Sequence, residues 1–495
     1  MPLQPLSRSR SFDSLVKQFT RTPLLRSVTS IAITLILLAT LSGCSSSKKL
    51  SAPATTVQVP DTLPTLPASE IDIPLKVVAK PILALADSLI PLEFTSDNWP
   101  NFLQTDCEFR YRYRFVRSAF TIGCVDNHFT MAMKGAYQVA GSKRLCALDK
   151  PVSPWISGNC GFGAEPMRKV DLLLSSQLSL SPDYHIHTRS RLDRLNPIDK
   201  CVMSMFSMDM TGLILDSIRS SINGTCTILD ETVAGLDFTP LIRTTLLQQP
   251  TSLPPYGFLS INPSHIRVSP INLIKDSFRL NVGITCLPAL GSDSNIDRHA
   301  SPIPRLANAA PRTGVTVYLP VTYDYDFITR TMNDSLRNHS FIVKGRTVTV
   351  KDIAMRPHGK HQIEIRIDFT GSRTGRLYLR GTPVLDTAHQ GLSLPDISYS
   401  LESKDLALRL ARSLFRNKIR KTLRGNSYLD LAALLKTNLP ILDAQLNRSI
   451  APNISSSGHI RDLRLIGLLA TEKNIQAQIV IRADLSITSI GLPNF

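Results

Sequence analysis

The sequence predicts an α+β protein made of two tandem, related modules, each a curved antiparallel sheet packed on long amphipathic helices. Two kinds of periodicity lead to this fold class. Apolar and polar residues alternate over 362–369 and over 476–485, as they do in strands with one buried and one wet face. Other segments carry apolar residues three or four positions apart, over 209–223, 404–423 and 428–447, which is typical of helices that cover a core.

The N-terminal segment predicts export and lipid attachment. Residues 1–26 carry five basic side chains against one acid, and the run from Val28 to Leu41 is apolar apart from Ser and Thr. A basic start, a short apolar core and small residues before the cut are typical of a signal peptide. The Leu-Ser-Gly-Cys run that ends at Cys44 resembles the lipobox of bacterial lipoproteins. We therefore expect a lipoprotein signal peptide over 1–43 and acylation of Cys44, with an uncleaved anchor or an ordinary signal peptide as the alternatives.

A tether and two modules are expected after Cys44. Residues 44–68 consist largely of Ser, Thr and Pro, a composition that predicts a flexible tether. The first module is expected over 69–290 and the second over 313–495. The first half is the longer one, and a segment rich in Cys, Pro and Gly at about 141–168 accounts for the difference.

An internal repeat underlies this division. Each half begins with a strand that contains a proline, Pro74 or Pro320, and an Asp-Ser-Leu run follows after 13 or 14 residues. Later in each half a His-Ile-Arg run, beginning at His265 or His459, precedes a pair of strands. Because both landmarks recur in the same order, we interpret the two halves as duplicated.

The cysteines after Cys44 predict disulfides, since an exported protein meets an oxidising compartment. Pairing of sequence neighbours leaves Cys286 free and gives three candidate bridges: Cys107–Cys124, Cys146–Cys160 and Cys201–Cys226. The absence of a Cys-x-x-Cys motif argues against a zinc ribbon or a thioredoxin-like site.

Charge and motifs narrow the class of function. The chain carries a net charge of +17, which favours an anionic membrane surface as a partner. No sequence pattern of a nucleic-acid-binding module is present, so nucleic acid is not expected. The sequence contains no Gly-x-Ser-x-Gly, His-Glu-x-x-His or Walker motif. We therefore expect a protein that is not an enzyme and that has no cofactor or metal site.

Apolar side chains near the start of each module, together with a methionine-rich run, are candidates for the wall of a ligand cavity. Helical spacing places one stripe after Pro74 and another after Pro320, and methionine adapts to irregular apolar partners. The candidates are Ile82, Leu85, Leu89, Met203, Met205, Phe327, Ile328, Met332 and Leu336. Ordinary core packing is the alternative for each of them.

One long run resembles a known family. The segment from Leu377 to Asp405, with its Gly-Thr-Pro turn at 381–383, Asp386 and the Leu-x-Leu-x-Asp strand at 392–396, resembles the signature of the bacterial lipoprotein family filed as domain of unknown function 4403. The resemblance extends over most of 69–495, and the family has no catalytic motif to transfer.

A weaker resemblance concerns architecture alone. The repeated order of strand, helix, meander and helix is similar to the tubular lipid-binding superfamily, which includes bactericidal/permeability-increasing protein and holds acyl chains between sheet and helix. The resemblance implies a protein that binds a lipid or glycolipid. The lipobox at Cys44, followed by Ser45, predicts a lipid anchor in the bacterial cell envelope, on the periplasmic side of the outer membrane. An envelope scaffold or adaptor without a ligand is the alternative, and an unrecognised hydrolase comes third.

Overall fold

The computed structural model describes residues 59–490. The gaps in the description are 90–91, 204–208, 236, 238, 243–249, 296–302, 344–345, 373 and 404–427. The expected signal peptide over 1–43, Cys44 and most of the tether therefore lie outside the described residues, and so does the helix predicted over 404–423.

Strands dominate the described part of the chain, which holds thirty strands in five sheets and five helices. The helices are α1 (Ala79–Leu89), α2 (Thr211–Ala234), α3 (Thr239–Ile242), α4 (Tyr325–Leu336) and α5 (Leu431–Leu446). The predicted α+β fold, with each module built on long amphipathic helices, is therefore wrong. The protein is mostly β-strand, and its helices are few and mostly short.

The largest sheet has twelve strands and takes them from both halves of the chain. In chain order they are β1 (Ser69–Val78), β12 (Thr251–Ser252), β13 (Phe258–Ser260), β14 (Pro263–Val268), β15 (Asn272–Ile274), β16 (Ser277–Cys286), β17 (Ala289–Gly291), β18 (Leu306–Asn308), β19 (Gly314–Asp324), β28 (Arg448–Ala451), β29 (Ile454–Ala470) and β30 (Asn474–Ser489). Because strands of both halves pair directly, the halves do not form two separate sheets.

The middle of this sheet follows one pairing scheme in each half. Strand β1 runs antiparallel to β16, which pairs with β14, and β19 runs antiparallel to β30, which pairs with β29. The prolines of the sequence landmarks lie where their strands change partner. Pro74 follows the residues of β1 that pair with β19 and precedes those that pair with β30. Because proline has no N–H, it is tolerated where one ladder ends and the next begins.

Two further sheets carry most of the remaining strands. The eight-stranded sheet consists of β2 (Glu93–Thr95), β3 (Leu103–Gln104), β4 (Phe109–Arg117), β5 (Thr121–Val125), β6 (His128–Lys143), β9 (Ile156–Cys160), β10 (Arg168–Leu180) and β11 (Ile186–Pro197). The five-stranded sheet consists of β20 (Ser340–Val343), β21 (Arg346–His358), β22 (Gln362–Gly371), β23 (Gly375–Gly381) and β26 (Ser398–Glu402).

The two smallest sheets are a triplet and a pair. The triplet is β24 (Val384–Asp386), β25 (Gly391–Ser393) and β27 (Tyr428–Asp430), and the pair is β7 (Cys146–Ala147) with β8 (Lys150–Pro151).

Each of the three larger sheets has its own apolar core against one helix. Leu215 of α2 is buried against Val170 and Leu172 of the eight-stranded sheet. Leu336 of α4 is buried against the five-stranded sheet, and the last turns of α5 pack on the largest sheet around Ile460. Burial of apolar area in these cores is the main stabilising contribution.

The alternating run predicted over 362–369 is confirmed as β22. Ile363 and Ile367 are buried on one face, and the other face is charged. On that face Glu364 pairs with Arg380 and Asp368 pairs with Arg376, both at 2.6 Å. A strand with one dry face and one ion-paired face is the physical meaning of the alternation.

A buried ion pair joins β1 to β14 within the largest sheet. The Nη2 of Arg267 lies 2.6 Å from an Oε of Glu70 and 3.1 Å from an Oδ of Asp72. The Arg267 side chain is 15% exposed and that of Asp72 is 11% exposed. The corresponding arginine of the second landmark, Arg461, pairs with Asp484 at 3.0 Å, but both side chains are more than half exposed.

We predict that Arg267→Leu destabilises the protein far more than the matched control Arg461→Leu. Loss of Arg267 leaves the buried Asp72 carboxylate without its partner, which costs about 3 kcal/mol or more. The Glu70 carboxylate, which is 45% exposed, adds less. Loss of the exposed pair costs under about 1 kcal/mol. Urea denaturation of the two variants measures both free energies of unfolding. Equal losses would contradict the buried pair.

Candidate functional site

A groove with a volume of about 500 Å³ runs along helix α1. Helix α1 begins where β1 ends, and the Ala79 amide donates to the Asp276 carbonyl at 2.8 Å. The opposite wall is formed by β5, by the turn before it and by β15. The groove is open to solvent along one side.

The groove has an apolar floor and a charged rim. The floor is lined by Leu83, Ala84, Ala119, Phe120, Ile122 and Leu273, and the rim by Lys80, Asp87, Lys275 and Asp276. The hydroxyl of Ser277 binds the Asp276 carboxylate and lowers the pKa of that group, and nearby lysines add to the effect. Asp276 is therefore ionised at neutral pH, and the rim carries charges of both signs.

Arg117 at the end of β4 fixes the position of α1 over the groove. Its side chain is only 2% exposed, and its Nη1 lies 2.7 Å from an Oδ of Asp87. Its Nη2 donates to the Asp87 carbonyl at 2.8 Å. The guanidinium also lies over the ring of Phe120, 4.2 Å from the centroid, a favourable cation–π contact. One arginine therefore ties the helix to the opposite wall.

The predicted lining residues of the first half are only partly described. The side chains of Ile82, Leu85 and Leu89 on α1 lie outside the description, as does Met205. Met203 is described, but it packs on Gly158 and Gly141 of the eight-stranded sheet and does not line the groove.

The predicted lining residues of the second half lie together on α4. Phe327 stacks on Tyr323 with ring centroids 4.9 Å apart, and Ile328 is partly buried. Met332 and Leu336 pack into the core that includes Val350, Ile353, Ile367 and Leu379. Met332 and Leu336 therefore belong to an apolar core of the five-stranded sheet, as the alternative of ordinary core packing predicts.

The cysteines pair differently from the sequence neighbours. Cys107 is bonded to Cys146 and Cys160 to Cys201, so the predicted bridges Cys107–Cys124, Cys146–Cys160 and Cys201–Cys226 are wrong. One bridge joins the bend before β4 to β7, and the other joins β9 to the segment before α2, so each links residues about forty positions apart. Such pairs are set by the fold and are not readable from spacing.

The remaining described cysteines are free and buried: Cys124, Cys226 and Cys286. Burial raises the pKa of the Cys124 and Cys286 thiols to about 11, and it raises the pKa of Cys226 as well. All three are therefore protonated and weakly reactive at neutral pH.

The described residues offer neither a metal-binding cluster nor a membrane-spanning helix. Within the described ranges, no three His, Cys, Asp or Glu side chains are grouped so as to hold a metal ion. Among the helices that the structure describes, none is long and apolar enough to cross a membrane.

The fold and the groove define a mostly β protein with an open apolar site beside its first helix. A family model described as a domain of unknown function (DUF4403) matches residues 67–488, and the chain belongs to this family. The family resemblance of the run at 377–405 is thereby confirmed. A comparison with curated proteins gives no match.

The groove residues that sequence analysis missed are those on the wall opposite α1. Arg117 ends the run FRYRYRFVR, in which aromatic and basic residues alternate, and Phe120 follows three residues later. That alternation was a usable signal for a strand with two unlike faces. The approach of Leu273 to this strand's hairpin depends on the tertiary fold and leaves no local signal.

We predict that peptide analysis will find two disulfides and three free cysteines among the described residues. After denaturation without reduction, N-ethylmaleimide should label Cys124, Cys226 and Cys286, whereas the native protein at pH 7 should leave them unlabelled because the thiols are buried and protonated. Trypsin should release one linked pair of peptides that joins Cys107 to Cys146 and another that joins Cys160 to Cys201. A peptide pair that links Cys146 to Cys160 would contradict the structure.

Proposed function

We propose that this protein is a lipid-anchored, non-enzymatic protein of the bacterial cell envelope that binds an apolar ligand, a lipid or glycolipid, in the α1 groove. The observation that carries the proposal is the groove itself. Its volume of about 500 Å³ lies within the range of small-molecule sites. An apolar floor beneath a charged rim suits an amphiphile.

The energetics of the groove support a bound acyl segment. Each buried methylene contributes about 0.8 kcal/mol, so about eight methylenes contribute roughly 6 kcal/mol before ordering costs. The rim carries Lys80 and Lys275 as well as Asp87 and Asp276, so it can contact a polar head group through charges of either sign. The net charge of +17 favours an anionic membrane surface.

The last residues of the tether are bound to the folded part of the protein. Asp61 pairs with Lys360 at 2.6 Å and with His361 at 3.3 Å, and Gln478 donates to the Pro64 carbonyl at 2.6 Å. Between an acylated Cys44 and Asp61, the extended chain spans at most about 60 Å. The proposal therefore keeps the folded part close to the membrane, on the periplasmic side of the outer membrane.

One observation favours the alternative of an envelope scaffold. Met332 and Leu336 of α4 pack into an apolar core, as expected of a module whose interior is occupied by its own side chains. A scaffold reading requires the α1 groove to stay empty in the native protein. The resemblance to the tubular lipid-binding superfamily remains an architectural prediction, and the proposal does not rest on it.

We predict that filling the groove removes bound lipid. Ala84 and Ala119 line the groove and are exposed, so tryptophan at either position can occupy it without disturbing a core. Native mass spectrometry and organic extraction should find lipid on the parent protein. The amount should fall at least tenfold in Ala84→Trp and Ala119→Trp.

The matched control is Ala388→Trp, at an exposed turn of the second half. It should retain lipid as the parent does, and all three variants should unfold at similar temperatures. A parent protein that yields no lipid from native membranes would reject the ligand and favour the scaffold.

We predict that acylation depends on Cys44. In cells fed radiolabelled palmitate, the parent protein should incorporate the label, and Cys44→Ser should lose it and appear in the soluble periplasmic fraction. Cys124→Ser serves as the control, because Cys124 is a buried free thiol and should not affect labelling. A Cys44→Ser protein that stays labelled would exclude the lipobox.

A further inference from the structure

Strand β4 presents two chemically different faces. Its odd-numbered residues are Phe109, Tyr111, Tyr113 and Phe115, followed by Arg117, and its even-numbered residues include three arginines. Of these, Arg114 forms a two-point ion pair with Glu93, with both N–O distances at 2.9 Å. Arg110 and Arg112 have no such partner: no carboxylate of the described residues lies within ion-pair distance of them.

Aromatic rings take the place of the missing carboxylates. The Cζ of Arg110 lies 4.5 Å from the Phe102 ring and 4.4 Å from the Trp155 ring. The Cζ of Arg112 lies 4.7 Å from the same Phe102 ring and 4.9 Å from that of Phe162. We call this stack of three guanidinium groups and three rings, which also includes Arg144, the guanidinium ladder.

Arg144 adds a third positive charge to the ladder. Its Cζ lies 4.2 Å from the Trp155 ring, and its Nε donates to the Cys107 carbonyl at 2.7 Å. Cys107 belongs to the Cys107–Cys146 disulfide, so the bridge holds this end of the ladder in place. Three cations thus converge on two shared rings, Phe102 and Trp155.

The donors of the ladder are incompletely used. Arg112 donates from Nη1 to the Pro100 carbonyl at 2.7 Å. The Nε atoms of Arg110 and Arg112 are buried and have no hydrogen-bond partner in the described residues. Two acids of the neighbouring loops are engaged elsewhere, since Asp106 accepts from the amides of Glu108 and Phe109 and Glu165 pairs with Arg168.

The stacking of the arginines on rings determines which ligand groups they can bind. A ring stacked on a guanidinium occupies its face, so the N–H donors remain available only at the edge, where oxyanions bind in two-point fashion. A carboxylate matches one such edge. A phosphate carries up to two charges and three terminal oxygens, so it can be shared by neighbouring edges. All three arginines are partly exposed, which leaves a route for the ligand.

The geometry points to the guanidinium ladder as a binding site for a phosphate group, carried by a lipid head group or by a soluble phosphate. The site is separate from the α1 groove. Arg117, which borders the groove, lies on the other face of β4 and five residues from Arg112, about 17 Å along the strand. The inference therefore does not depend on the apolar ligand.

Tryptophan fluorescence offers a direct test on the full-length protein. The chain has two tryptophans; Trp155 lies in the ladder and Trp99 is 6.1 Å from the Phe162 ring. At constant ionic strength, inorganic pyrophosphate or dihexanoyl phosphatidic acid should change the fluorescence saturably. Dihexanoyl phosphatidylcholine, whose phosphate is masked by a cation, should bind at least tenfold more weakly than phosphatidic acid.

Three sets of variants separate ligand binding from structure. Arg110→Gln with Arg112→Gln should weaken phosphate binding at least tenfold. Arg110→Lys with Arg112→Lys keeps the charge but loses the planar edge, and should weaken it severalfold. Arg114→Gln, on the same face of the same strand but paired with Glu93, should bind as the parent does.

The two probes distinguish the source of the phosphate. Tighter binding of phosphatidic acid indicates a lipid head group, and equal or tighter binding of pyrophosphate indicates a soluble ligand. Failure of the folded parent protein to bind either probe would overturn the inference. The inference would also be overturned if the Lys variant bound phosphate as the parent does and Arg114→Gln lost as much affinity as the double Gln variant. Phosphate would then respond to positive charge in general and not to the ladder.

Discussion

The pairing of β1 with strands from both halves holds the largest sheet together. Strand β1 pairs with β16 along its whole length of ten residues, with β19 near its start and with β30 near its end. Unpaired backbone groups inside a sheet are costly, so each half completes the other. Because α1 follows β1 without a break, the same pairing also decides where the groove lies.

The two acids of β1 explain why the two landmark arginines behave differently. Arg267 meets Glu70 and Asp72. If Pro74 and Pro320 are aligned, the corresponding positions of β19 are Thr316 and Tyr318, which supply no charge. Arg461 therefore turns to Asp484 at the surface. Similar sequence landmarks thus occupy environments of different polarity, and the difference is set by the strand that pairs beside them.

Local periodicity predicted single elements well and their assembly poorly. The alternation over 362–369 and over 476–485 falls within β22 and β30, because a strand with one buried face leaves a local pattern. The helix predicted over 209–223 is the first part of α2. The shared sheet left no such pattern, since β1 and β30 are more than four hundred residues apart. The fold class predicted from the helical stripes therefore contained more helix than the structure does.

The candidate sites show the same limit. The stripe on α4 was correctly placed on a helix, but hydrophobic spacing does not distinguish a cavity wall from a filled core. The disulfides could not be assigned, because Cys146 lies beside Cys107 only after the sheet forms. On β4 the aromatic and basic alternation was visible, but the loops that bring Phe102, Trp155 and Phe162 onto the arginines are not predictable from spacing.

Arginines on one sheet face of each half have different surroundings. In the second half, the cross-strand partners of Arg366, Arg376 and Arg380 include acids at 2.6–2.7 Å, so that face is close to neutral and needs no ligand. In the first half, Arg110 and Arg112 are surrounded by rings, which attract the cations but leave their charge in place. Pairing these arginines with acids would stabilise the folded state equally well. A sheet face that retains the positive charge of Arg110 and Arg112 between aromatic rings is the arrangement expected of a site prepared for an anion.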